Sequence, residues 1–153
     1  MRLATAPCFV LALLVAEHCH AAQSFLCDGA TVRIEIIARE SPAWEDRPEA
    51  VVTVSRDNAE TVLRYQNIDF IGGQCVAGSG APPLVVFQAY CGGSGCRDLA
   101  NWGVVDPKTL RVLMVPSDSN RDETRKLIGG GALPRLQMMN VLAEARELAI
   151  DVP

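Results

Sequence analysis

Apolar and charged residues alternate along Thr31–Ala38 (TVRIEIIA). A period of two marks a strand with one buried face. The same signature recurs in Ala50–Arg56 (AVVTVSR) and Thr61–Tyr65 (TVLRY). Between them, Asp57, Asn58, Ala59 and Glu60 are turn formers, so the pair predicts a hairpin. Leu84–Tyr90 (LVVFQAY) is nearly all apolar and predicts a central strand covered on both faces. Leu99–Val105 and Leu110–Val115 predict two more strands, joined by a turn over Asp106–Thr109 in which Pro107 presets φ. Arg39–Glu49 is a charged, proline-bearing loop. Gly72–Pro83, with its glycines and prolines around Cys75, predicts a second long loop.

Helical signals come last. Ser117, Asp118, Ser119 and Asn120 offer side-chain oxygens for a helix start, and Asp122 and Glu123 suit a first turn. This helix is expected to reach Ile128, where Gly129, Gly130 and Gly131 stop it. A second helix is expected from Pro134 to about Ala149, with Leu136, Met139, Leu142 and Ala145 near one face. Strands followed by helices predict an α+β domain. Its expected form is one antiparallel sheet of about five or six strands, with the C-terminal helices on one face and two disulfides.

The N-terminus follows a different pattern. Arg2 precedes an unbroken apolar run, Phe9–Ala16 (FVLALLVA), and small residues follow at Ala21 and Ala22. A charged start, an apolar stretch too short to span a bilayer and a small-residue exit form a signal peptide, expected over residues 1–22. Residues 23–153 are then a single exported domain, periplasmic or secreted, with no later segment apolar enough for stable membrane insertion. Of the 153 residues, 49% are hydrophobic and 21% charged, which suits one ordinary core. The net charge of −4 argues against nucleic acid as a partner.

Removing residues 1–22 removes both histidines, His18 and His20, and the cysteines Cys8 and Cys19. Cys27, Cys75, Cys91 and Cys96 remain. An even number in an oxidising compartment reads as disulfides, and four cysteines allow three pairings. Spacing favours Cys91–Cys96, bridged by Gly92, Gly93, Ser94 and Gly95, together with Cys27–Cys75. The isolated positions of Cys27 and Cys75 do not suit zinc, so no metal or other cofactor is expected.

Without histidine, Ser–His and Cys–His nucleophile pairs are excluded. Lys108 and Lys126, the only lysines, fall in a turn and near a helix end. Neither position desolvates an ammonium group. No phosphate-cradling glycine motif is present, so an enzyme is not expected. A binding role is expected instead. A loop closed by Cys91 and Cys96 is pre-organised on a rigid strand, which lowers the entropy lost on binding. Gly92, Gly93, Ser94 and Gly95 let a partner approach its backbone, and Arg97 adds charge at its exit. Trp44, in a polar loop, is a further candidate anchor. Trp102 reads as a core residue.

The segment Leu84–Val115, with Cys91-Gly92-Gly93-Ser94-Gly95-Cys96 directly after a strand, resembles small exported bacterial inhibitors of lysozyme, the vertebrate-lysozyme inhibitor (Ivy) family. That resemblance implies an antiparallel sheet with helical elements, and a short loop between two cysteines that enters a hydrolase cleft. The family loop carries basic, imidazole and acidic side chains. This loop carries none, and Arg97 is the candidate substitute. The leading expectation is an inhibitor or immunity protein that occludes a peptidoglycan hydrolase, either a lysozyme or an amidase. The alternatives are a structural or accessory cell-envelope protein and a thiol-disulfide protein using Cys91 and Cys96.

Overall fold

Asp28 and Gly29 both adopt positive φ, 47° and 80°, the backbone that a two-residue hairpin turn requires. They join β1 (Ala22–Cys27) to β2 (Ala30–Ile37), with Cys27 opposite Ala30. Asp57 (φ 54°) and Asn58 join β3 (Glu49–Arg56) to β4 (Ala59–Tyr65) in the same two-residue manner. The four strands form an antiparallel meander, β1-β2-β3-β4. The computed structural model describes residues 22–37, 48–78, 80–93, 101–117 and 120–148.

The second sheet contains β5 (Phe70–Val76), β6 (Leu84–Tyr90), β7 (Trp102–Val105), β8 (Val112–Met114) and β9 (Met139–Asn140). Its order is β8-β7-β6-β5-β9, and every pairing is antiparallel. The sheets pack face to face. Val32, Ile34, Ile36, Val52 and Val54 from the first share a core with Ile71, Val85, Phe87, Ala89 and Val105 from the second. The other face of the second sheet carries a separate cluster, in which Leu84, Val86, Trp102 and Val104 meet Ile128, Leu133 and Leu136. Thus β6 is covered on both faces, as its unbroken apolar run predicts, and Trp102 is a core residue.

The expected fold needs correction at four points. Among the described residues, the single sheet of five or six strands is two antiparallel sheets of four and five, with two short helices, so the fold is mostly sheet rather than α+β. The strand Ala22–Cys27 was not anticipated. The expected loop 72–83 gives up its first residues to β5. Gly72 and Gly73 are strand residues there, because a Cβ on Gly72 would stand 2.2 Å from the Gln137 carbonyl oxygen. A Cβ on Gly73 would crowd Ile34 and Phe87, both at 3.0 Å. These glycines mark close approach of other chain segments rather than a turn.

The helices are the fourth correction. The expected helix 134–149 is irregular up to Met138, then β9, then α2 (Val141–Glu147). The reason is packing: Leu136 belongs to the outer cluster and Met139 to the inter-sheet core, so one straight helix cannot serve both. Asn140 caps α2 by accepting the Ala143 N–H at 2.9 Å. The helices do not share a face. α1 (Arg121–Leu127) is followed by Ile128, which packs in the outer cluster, while Val141 and Ala145 of α2 join the inter-sheet core.

α1 ends as expected. Gly130 N–H donates to the Arg125 carbonyl and Gly129 N–H to that of Lys126, with positive φ at both glycines, which is a Schellman stop. Its start differs. Asn120 makes no side-chain cap. Its amide instead pairs with both main-chain groups of Trp102, accepting its N–H at 2.9 Å and donating to its carbonyl at 2.6 Å. The side chain thus continues the edge of β7 beyond the point where β8 ends.

Of the two expected disulfides, Cys27–Cys75 is in place, with Cα atoms 5.1 Å apart, joining β1 to β5 across the layers. At the same seam the Gln23 amide accepts the Gly73 N–H and donates to the Gln137 carbonyl. The disulfide suits an oxidising environment. Among the described residues, no helix is long and apolar enough to cross a membrane. Residues 1–21, and with them all but the last residue of the expected signal peptide, lie outside the described residues.

Two predictions follow from local geometry. Gly103→Ala places a Cβ 2.1 Å from Phe87 Cζ in the core, so denaturant titration should register a loss of about 1–3 kcal/mol. The Asp106 carboxyl is held below its usual value of 3.8, chiefly by the Thr109 hydroxyl and also by the Lys108 and Thr109 main-chain N–H groups and Arg111. A lowered folded-state pKa gives stability that is present above the unfolded value and lost as pH falls through the folded one. Asp106→Ala should therefore lower Tm at neutral pH. The gap to the unaltered protein should shrink in scans taken below about pH 4.

Candidate functional site

Strand direction decides which loops share an end of the molecule. β4 ends at Tyr65 and β5 begins at Phe70, so four residues link the sheets at one end. Register then brings Ile37 and Glu49, the ends of β2 and β3, to this end, together with Tyr90 and Trp102 on β6 and β7. The segments carrying Trp44 and the Cys91–Cys96 loop therefore both attach here. Trp44, Ser94, Gly95, Cys96 and Arg97 themselves lie outside the described residues. Gly92 and Gly93 are described, and both are exposed.

The first residues of the loop are anchored by Asp69. Its main-chain N–H donates to the Tyr90 carbonyl at 3.0 Å, and its carbonyl accepts the Val141 N–H at 2.9 Å. Its carboxylate oxygen Oδ2 accepts the Gly92 N–H at 2.6 Å, a short charge-assisted bond. Below Gly92 lies the ring of Phe70, paired with the Tyr90 ring at a centroid distance of 5.4 Å. A Cβ on Gly92 would stand 2.5 Å from Phe70 Cε2, whereas one on Gly93 would meet nothing within 4 Å. Only the second glycine leaves open space for an approaching partner. Cys91 is in a disulfide.

The β2–β3 side of this end is polar. Glu49 is buried, 8% exposed, and its carboxylate accepts from Arg64 at 2.8 Å and from Gln66 at 3.3 Å. Arg64 is bound to Glu49 yet reaches solvent. Under the rim, Tyr65 sets its ring 5.9 Å from that of Phe87. Burial pushes its phenol well above the ordinary value. Among the described residues, no three of His, Cys, Asp and Glu gather as metal ligands.

Two positions that matter here, Asp69 and Phe70, were not picked out in the sequence. An aspartate before an apolar run reads as ordinary loop polarity, and its partner lies 23 positions further on. No family model, characterised protein or solved structure matches this chain. The arrangement leaves the main chain at Gly93 open above a base fixed by Asp69 and Phe70.

A thiol-disulfide role is tested directly. Titration of the native protein with a thiol reagent should find Cys27, Cys75 and Cys91 unreactive, and mild reductant should leave them so. Ready reduction at Cys91 would favour the redox alternative.

Proposed function

We propose that this protein is an exported binding module that occludes the site of a peptidoglycan hydrolase, either a lysozyme or an amidase. The observation that carries this reading is the fixed base of the Cys91 loop. Cys91 is in a disulfide, Gly92 is clasped by Asp69 and backed by Phe70, and Gly93 faces open space. A loop held this way loses little freedom on docking. The 38–48 segment attaches at the same end, and Trp44 within it is a second candidate contact. Arg97 supplies the cation for a cleft lined with carboxylates. The Cys27–Cys75 bond supports export to an oxidising compartment.

A second reading, an accessory envelope protein, draws on a different feature. β8 is an edge strand, and Val112 and Leu113 are exposed along it, as is Val115 just beyond its end, by 56%. An apolar edge offers pairing to another chain.

One experiment separates the two. Purified protein is added to lysis assays with a panel of lysozymes and bacterial amidases. Inhibition at stoichiometric concentration is expected. Arg97→Ala should weaken it about tenfold while leaving Tm unchanged. Full inhibition by both Arg97→Ala and a loop-shortened variant would remove the loop from the site. An envelope association that survives loop replacement, with no hydrolase inhibited, would favour the second reading.

A further inference from the structure

We infer that Asp69 is the positioning residue of the Cys91 loop, and that its carboxylate rather than its main chain directs the polypeptide as it leaves β6. The inference rests on the proposed binding role for the purpose of the loop, but not for the clasp itself.

Three restraints converge on Tyr90 and Gly92. The main chain of Asp69 closes the last rung of the β5–β6 ladder through the Tyr90 carbonyl. Its side chain then reaches one step beyond that ladder to the Gly92 N–H. The Phe70 ring lies so close beneath Gly92 that a side chain there would have to displace it. The sheet thus ends, but a carboxylate extends its hydrogen-bonding pattern by one donor. Position 92 is exposed. Without the carboxylate its N–H would be satisfied by water, which imposes no direction on the chain. An anion is the suitable acceptor, because an ionised oxygen gives a shorter and stronger bond than a neutral one.

The same residue also anchors α2 through its main-chain carbonyl, which accepts from Val141. Side chain and main chain therefore serve different neighbours, and a substitution at position 69 distinguishes the two. Among the described residues, Asp69→Ala deletes only the side-chain bond to Gly92, whereas Asp69→Asn keeps an acceptor oxygen at the same place.

The test is amide hydrogen exchange by NMR on the full exported chain and these two variants. Gly92 is the reporter, Val141 the main-chain control and Val52, in the middle of β3, the control for global opening. In Asp69→Ala, Gly92 should exchange about tenfold faster, with Val141 and Val52 unchanged. Asp69→Asn should restore Gly92 to within about threefold of the unaltered protein. Unchanged exchange at Gly92 would overturn the inference. So would equal acceleration of Gly92 and Val52, which means general loosening. Neither readout needs a partner. Hydrolase inhibition by the same variants then addresses the binding role separately. Faster Gly92 exchange with full inhibition retained would uphold the clasp and remove the loop from the hydrolase site.

Discussion

Phe87 has no exposed surface, and its ring occupies the space where a Cβ on Gly103 would stand. Register places Gly73, Phe87 and Gly103 side by side on β5, β6 and β7. One large ring between two glycines is a packing solution: the neighbours give up their side chains so that the ring can lie along the sheet. Ile34 and Tyr65 from the opposite sheet close over it. The spacing of the layers depends on this row, because protein interiors are close-packed and tolerate neither a gap nor an extra methyl group.

From that row the rest of the architecture can be traced outward. Layers spaced by Phe87 bring β1 and β5 near enough for the Cys27–Cys75 bond and for the Gln23 amide to bridge them. With the inner face of the second sheet occupied, the 128–136 segment covers its outer face. β6 is therefore held on both sides and by two neighbouring strands, which makes its end at Tyr90 a firm base. The loop that begins at Cys91 is supported on a strand covered on both faces and paired on both edges.

Much of this was legible in the chain. Alternation in 31–38, 50–56 and 61–65 matches β2, β3 and β4, and the continuous apolar run 84–90 is the doubly covered β6. The misreadings have physical causes. Glycine marks both a turn and a close approach, and only the fold distinguishes them at Gly72 and Gly73. Three-residue spacing in Leu136, Met139, Leu142 and Ala145 imitates a helix, although the segment crosses from one core to another. Asn120 has the chemistry of a helix cap, but it found a stronger demand at the exposed edge of Trp102. Of the candidate site, Gly92 and Gly93 were picked out correctly as loop residues. Asp69 was not, because its meaning lies in a contact far along the chain.

The Cys27–Cys75 bond also bears on how the chain reaches its folded state. Cys75 is the next cysteine after Cys27 in the chain. A polypeptide oxidised in the order of its synthesis therefore meets the correct partner first, before Cys91 or Cys96 is present to compete. β1 ends at the first of these cysteines, and β2, β3 and β4 lie between the two, so the meander can form while the remainder of the chain is still arriving.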